Sequence, residues 1–394
     1  MSATERIYLD HAATSPLRPE ARAAWEACVG AADFNPASAH GCGRAARDVL
    51  ERAREEIAVL LGAERREVIF TAGGTVSDNL AVLGFARAHA EKSPLLVVSA
   101  VEHKAVLAAS LRAEAEGAEL VVLPVDASGT VDPAAVERAL ARASGRPALV
   151  SVMWANNEVG AVQPVADISR VARAAGALFH TDAVQAFGKL PVSLADVPAD
   201  LLTVTGHKIG APVGIGVLVA RGEVALEPLT HGGAQERGRW PGTQNPCGAS
   251  AFAAAARAAV SELPESVPRW TAMRDALAAE LETGVEGLVV HAEGAPARLP
   301  QLLSIGIPGA DAATLLVGLD LEGIAVSSGS ACSSGSETGS HVLSAMGVGG
   351  ERTYAAVRFS FGPATTGAQV RRAGEATVRA AARARAVLAD RFKP

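Results

Sequence analysis

Seven short runs of β-branched and other apolar residues, separated by helical patterns, constrain the fold of this chain more than any other feature. The runs are EVIFT (67–71), LLVVSA (95–100), ELVVLPV (119–125), ALVSVM (148–153), ALFHTD (177–182), LLTVT (201–205) and GIGVLVA (214–220). Between them, segments 77–91, 104–116, 132–143 and 165–175 place apolar residues at helical spacing. A strand that is apolar throughout is buried on both faces. Alternation of such strands with helices therefore predicts an α/β fold with a mostly parallel seven-stranded sheet sandwiched by helices. Ligands of such sheets bind beyond the C-terminal ends of the strands, so the residues just after each run are the candidates for chemistry.

Residues 44–62 read as an amphipathic helix and 248–262 as an Ala-rich one, followed by a break at SELPESVPRW (261–270). Further on, helical stretches at 268–284, 310–320 and 366–389 alternate with strand-like runs at 287–291, 301–307, 324–326 and 356–361. This predicts a large domain over residues 15–262 and a smaller α/β domain built from 1–14 and 263–394. The 394 residues and 49% hydrophobic content suit two or three domains with a sizeable core. A net charge of −6, with Lys and Arg scattered, speaks against a nucleic-acid or membrane-surface partner. Four cysteines without a CxxC pair speak against a disulfide framework or a zinc site. The segment MSATERIYLD lacks the apolar core of a signal peptide, and no run approaches the ~20 apolar residues of a membrane span. The expectation is a soluble, reduced, cytoplasmic protein without a metal.

Polar residues collect where the runs end. EVIFT is followed by Ala72, Gly73, Gly74 and Thr75 and then a helix, whose first N–H groups and dipole favour an anion. Alone, a Gly-Gly turn says little. LLVVSA leads to Glu102, His103 and Lys104, and ALVSVM to Trp154 through Glu158. ALFH leads to Asp182, with Gln185 three residues on; N-capping is the ordinary use of such an Asp. LLTVT leads to Gly206, His207 and Lys208, and a lysine drawn into a cleft there becomes a nucleophile or base. Taken together these groups suit pyridoxal phosphate, which needs an anion site, an amine, a carboxylate at its ring nitrogen and a stacking group. One feature stands apart. Cys332 lies in SSGSACSSGSETGSHVL (327–343), a hydrated setting unlike the apolar one of a packing cysteine.

The chain resembles the cysteine desulfurases, fold-type I pyridoxal phosphate enzymes of the class V aminotransferase group. The resemblance runs through YLDHAATSP (8–16), NPASAHGCGR (35–44), VIFTAGGTVSDNLAV (68–82), EHKAVL (102–107), NNEVGAVQP (156–164), HTDAVQAFGKLP (180–191), TGHKIGAPVGIG (205–216), HGGAQERGRWPGTQN (231–245), SSGSACSSG (327–335) and VRFSFG (357–362). The serine-rich cysteine segment is similar to that of the members with a long mobile loop, here about 327–339. The resemblance implies that Lys208 carries the cofactor and moves the substrate's α-proton, with His103 stacked on the ring and assisting. It implies that Asp182 pairs with the ring nitrogen and Gln185 with the ring hydroxyl, near Asn157. Gly74, Thr75, Thr205 and His207 would hold the phosphate, and Thr243 would reach the phosphate of the second subunit of a homodimer. Arg358 would clamp the substrate carboxylate, helped by Asn35 and Asn157. Cys332 would take sulfur from L-cysteine as a persulfide and pass it to an acceptor protein, an iron–sulfur scaffold or a thiolation enzyme. Cys28, Cys42 and Cys247 read as structural.

Four positions depart from the family's usual pattern: Val76 stands for Glu, Ala211 for Gly, Trp240 for Arg and Thr205 for Ser. Two other readings follow. One is a related lyase, acting on selenocysteine, cystine or a cysteine derivative without need of Cys332. The other is a protein that keeps fold and cofactor but serves as a binding or regulatory partner in a sulfur-transfer assembly. A Cys332–His341 hydrolase leaves Lys208 and Asp182 without a role.

Overall fold

The computed structural model describes residues 6–328, 339–348 and 354–391. A short strand β1 (Ile7–Tyr8) precedes helices α1 (Pro19–Cys28) and α2 (Gly41–Leu61). The alternation then follows as β2 (Val68–Thr71), α3 (Gly74–Ala88), β3 (Leu95–Ser99), α4 (Lys104–Ala115), β4 (Glu119–Leu123), α5 (Pro133–Leu140), β5 (Ala148–Ser151), α6 (Val165–Ala174), β6 (Leu178–Asp182), β7 (Leu201–Thr205) and β8 (Gly216–Ala220). Strands β2 to β8 are the seven apolar runs, joined in one sheet of order β2-β8-β7-β6-β5-β3-β4. From β4 to β7 all neighbours are parallel, whereas β8 is antiparallel to both β7 and β2. The reversal has a local cause. The connection from β7 to β8 is too short for the crossover that a parallel pair requires.

Both faces of the sheet are covered. Leu96 and Val98 of β3 face Leu80, Phe85 and Val106 of α3 and α4. Val97, between them, belongs to the opposite layer with Ile57, Val136, Ile168 and Phe252 of four other helices. Period-two alternation thus places adjacent residues of one strand in different cores, as continuous apolar runs require.

The remaining elements are α7 (Pro246–Ser261), α8 (Leu263–Gly284), β9 (Val289–Val290), β10 (Leu302–Pro308), α9 (Ala312–Leu321), β11 (Ile324–Ala325), α10 (His341–Ala345), β12 (Tyr354–Ser360) and α11 (Gly367–Arg391). An antiparallel sheet β12-β10-β9 and a parallel pair β1-β11 enclose a separate apolar cluster, which includes Ile7, Leu9, Trp270, Leu281, Ile305 and Phe359. The break expected at 261–270 is confined to the junction at Glu262. Pro264 sits in the first turn of α8, where a missing N–H is harmless, although Pro268 lies within the helix. Cys28 and Cys247 are joined in a disulfide, against the expectation from the sequence. They lie 219 residues apart, so no local spacing announces the pair; it forms because α1 and α7 pack together. Cys42 is free and exposed. Among the described residues no helix is long and apolar enough to cross a membrane.

Candidate active site

A cavity of about 490 Å³ opens at the C-terminal ends of β3, β5, β6 and β7. His103, Asn157, Asp182, Gln185, Thr205, His207, Lys208 and Arg358 line it, as do Gly74 and Thr75 at the start of α3. No side chain caps the first turn of α3. Its N–H groups are thus available to an anion, and the helix dipole adds to the attraction. The close approach of backbones here depends on Gly216, where a Cβ would lie 2.7 Å from Gly73 Cα.

The lysine is held by the N-terminal segment. Lys208 Nζ donates to the carbonyls of Ala12 (2.8 Å) and Ala13 (2.7 Å). Ser15 returns two bonds, its N–H to His207 O (2.9 Å) and its hydroxyl to Lys208 O (3.0 Å). Arg18 continues the strap, donating from Nε to Ile209 O and from its backbone to Gly210 O. Gly210 has φ +83°, and a Cβ there would strike Pro16 O at 2.8 Å. His207 Nδ1 lies 3.2 Å from Thr14 Oγ1, and Gln185 Nε2 donates to Ala12 O. Ala211 is buried and closes the turn through its N–H to Gly206 O.

On the ring side, Asp182 ends β6 and accepts from Val184 N–H (2.8 Å). Burial raises its pKa, opposed by His103, the Val184 N–H and Lys208. Asp78, on α3, also lines the cavity, with Oδ1 buried and without a hydrogen-bond partner. Burial and then the Asp182 charge push it well above the usual carboxylate range. Two buried carboxyls this close do not both ionise. Asp182 has the cationic neighbours His103 and Lys208, which pull its carboxyl down and are not among the influences on Asp78. Burial lowers His103, with Asp182 opposing and Lys208 adding to the effect. His103 Nδ1 accepts from Ala105 N–H, which places the ring proton on Nε2. Burial, then Lys208 and Lys189, bring His207 down to about 4, so it is neutral at pH 7.

Arg358, buried to 2% exposure in β12, donates to Asn157 O (2.7 Å) and Asp10 Oδ1 (2.8 Å). Asp10 is a functional neighbour that the sequence reading passed over, although it stands in YLDHAATSP. His341 also lines the cavity, donating to Glu102 O at 3.0 Å, and Ser340 donates to Glu158 at 2.5 Å. Asn35 and Thr243 do not line this cavity. Asn35 is exposed and uses its Oδ1 to accept from Ala37 N–H, while Thr243 is exposed and outside the cavity. Cys332 lies outside the described residues. Val76 lines the cavity, and Trp240 packs with Leu226 and Leu229 against an apolar cluster.

These residues suit pyridoxal phosphate. The uncapped helix start suits a phosphate, Asp182 with its cationic neighbours suits a ring nitrogen, and Lys208 reaches the same space.

The profile of the family described as "Aminotransferase class-V" matches residues 7–373. The chain is similar to "Cysteine desulfurase IscS" of Dictyoglomus turgidum, 39% identical over 360 residues, covering 91% of this chain and 90% of that one. It is 42% identical over 385 residues to "IscS-like cysteine desulfurase" of Mycobacterium tuberculosis, covering 96% and 97%. Among solved structures, a "NifS-like protein" superposes with a TM-score of 0.87 at 33% identity, covering 95% and 98%. "SspA in complex with cysteine" does so at 0.77 and 31%, covering 91% and 100%. With its seven-stranded sheet, its lysine turn between β7 and β8 and these relatives, the chain belongs to the class-V aminotransferase family, among its cysteine desulfurases.

Proposed function

We propose that the protein is a pyridoxal-phosphate-dependent cysteine desulfurase that converts L-cysteine to L-alanine and places the sulfur on Cys332 as a persulfide. The observation that carries this is the convergence of Lys208, Asp182, His103 and Arg358 on one cavity beside an uncapped helix start. Residues 15–262 then act as the cofactor-binding domain, and 1–14 with 263–394 as the smaller domain that brings Arg358 and Cys332. Bound pyridoxal phosphate supplies the electron sink that loosens the bonds of an attached amino acid.

The chain's own groups do the rest. Gly74, Thr75, Thr205 and His207 surround the anion site, with Thr243 reserved for the phosphate of a second subunit. Arg358 orients the substrate carboxylate by its guanidinium fork, itself aimed by Asp10 and by the Asn157 carbonyl. Gln185 and Asn157, which line the cavity, would hold the ring hydroxyl. Lys208 Nζ takes the α-proton, and His103, with its proton on Nε2, assists. The Cys332 thiolate attacks the substrate sulfur: an S–S bond forms, the C–S bond breaks, the β-carbon gains a proton, and the α-carbon regains the one that Lys208 took, so that alanine leaves. The persulfide then passes to an acceptor protein.

The test is a paired assay of wild type and Cys332→Ala with L-cysteine and a thiol reductant, quantifying alanine and sulfide separately. Equal amounts from wild type and almost none from the variant are expected. A variant that keeps its activity makes the protein a lyase that does not need this thiol. A wild type that binds cofactor but turns nothing over makes it a binding partner.

A further inference from the structure

HTDAVQAFGKLP contains a second lysine that the reaction above leaves without a task. Lys189 is buried to 6% exposure, yet among the described residues the charges acting on it are those of Arg18 and Lys208, both cations. A buried ammonium in cationic company is costly to keep. Its position explains what it does. Lys189 Nζ donates to the backbone carbonyl of Lys208 at 2.8 Å, alongside the Ser15 hydroxyl. The lysine turn is therefore gripped from two sides, by the N-terminal strap and by the loop after β6.

Electrostatic coupling between two titrating groups is mutual. Burial, then Arg18 and Lys208, bring Lys189 down to about 7, so the Lys208 charge is felt there. His207 and His11, both at about 4 chiefly through burial, also respond to Lys189. The groups coupled to it are His11 and Arg18 of the strap and His207 and Lys208 of the turn; Glu262, just before α8, meets Arg18. Glu262 is engaged by both Arg18 guanidinium ends.

We infer that Lys189 is a second functional lysine of this site, a positioning residue that grips the Lys208 backbone and brings a second cationic group to the Lys208 turn. The inference rests on the cofactor reading above and adds a residue to it.

Lys189→Met keeps the length and apolar stem but removes charge and donor. The absorbance of bound pyridoxal phosphate is titrated against pH in wild type, Lys189→Met and Lys189→Arg. Loss of a nearby cation raises the proton affinity of the lysine-bound chromophore, so the Met variant is expected to titrate ~0.5 unit or more higher. Lys189→Arg returns the midpoint to within ~0.2 unit of wild type, since the charge is kept. For L-cysteine, kcat falls ~10-fold in the Met variant while KM stays within ~2-fold, because substrate contacts are intact. Its thermal midpoint holds or rises, as a buried charge without a carboxylate has been removed.

A folded Met variant with the wild-type titration midpoint overturns the inference, whatever its thermal stability. If that variant does not retain cofactor, Lys189→Gln is read by the same criterion. A wild type without a titrating cofactor band overturns the cofactor reading and this inference together. A titrating wild type matched by its variant overturns this inference alone.

Discussion

Replacing Glu102 by Gln is expected to stabilise the protein, by an amount that grows with pH. Glu102 is fully buried just ahead of His103, and its Oε1 accepts from Ser99 Oγ (2.5 Å) and Met153 N–H (2.7 Å), tying the ends of β3 and β5. Oε2 is buried with no hydrogen-bond partner. Burial raises its pKa from 4.5 to about 8, against the pull of the two hydrogen bonds and with a further push from Asp182. The group is therefore neutral in the native state at pH 7 and ionised in the unfolded chain. Below pH 4.5 both states are protonated, and wild type and Glu102→Gln are equally stable in this respect. As pH rises the unfolded glutamate releases its proton while the native one does not. Wild type then loses ~1.4 kcal/mol per pH unit until about pH 8. Glutamine keeps both accepted hydrogen bonds and does not titrate. The variant should exceed wild type by roughly 3 kcal/mol at pH 7, levelling near 5 kcal/mol above pH 8. Urea unfolding of both proteins at pH 5, 6, 7, 8 and 9 measures the gap, and other titrations cancel in the difference. A gap that is the same at every pH, or a variant less stable at pH 7, refutes the reasoning.

Two further perturbations test other parts of the structure. In Gly216→Ala the new Cβ meets backbone rather than a side chain, with Gly73 Cα at 2.7 Å and C at 2.8 Å, so the turn before α3 must move. Pyridoxal phosphate binding, followed by absorbance, is expected to weaken ~10-fold or more as that turn shifts; unchanged affinity refutes this. Cys28→Ser opens a cross-link spanning 219 residues, and chain entropy sets its upper worth on the order of 5 kcal/mol. Unfolding in non-reducing buffer should show the loss and a thiol reductant should erase the difference; identical curves without reductant count against the bond.

The sheet was legible because burial on both faces leaves a run of apolar residues that no solvent-exposed element needs, and all seven runs became its strands. Strand direction was not. An apolar run reads the same in either sense, and the reversal of β8 follows from connection length alone. Helix α1 escaped because its sequence, PEARAAWEAC, buries little beyond Ala21 and Cys28, so no apolar stripe marks it. Lys208, Asp182 and His103, which line the cavity, were legible from a single rule, polar residues where core strands end. Partners brought by the other core were not. Asp10 meets Arg358 across 348 residues, and Lys189 meets Lys208 through a backbone carbonyl, a contact that residue type does not reveal. Asn35, suggested by resemblance, does not line the cavity and uses its Oδ1 to accept from Ala37 N–H.

The N-terminal strap also fixes an order of events during synthesis. Ile7 pairs with Ile324, and the backbone N–H of Ala12 is received by the Ser360 hydroxyl, 348 residues on. At ~5–20 residues per second a ribosome needs roughly 17 to 70 s to cover that distance. Once Ala220 has been made, and until Ser360 follows, the seven-stranded sheet has its full complement of residues and the lysine turn is in place. The strap that receives the Lys208 ammonium has one side of its seat missing. The growing chain thus carries an assembled sheet and an unfinished cofactor site, and it becomes able to retain pyridoxal phosphate only after β12 has emerged.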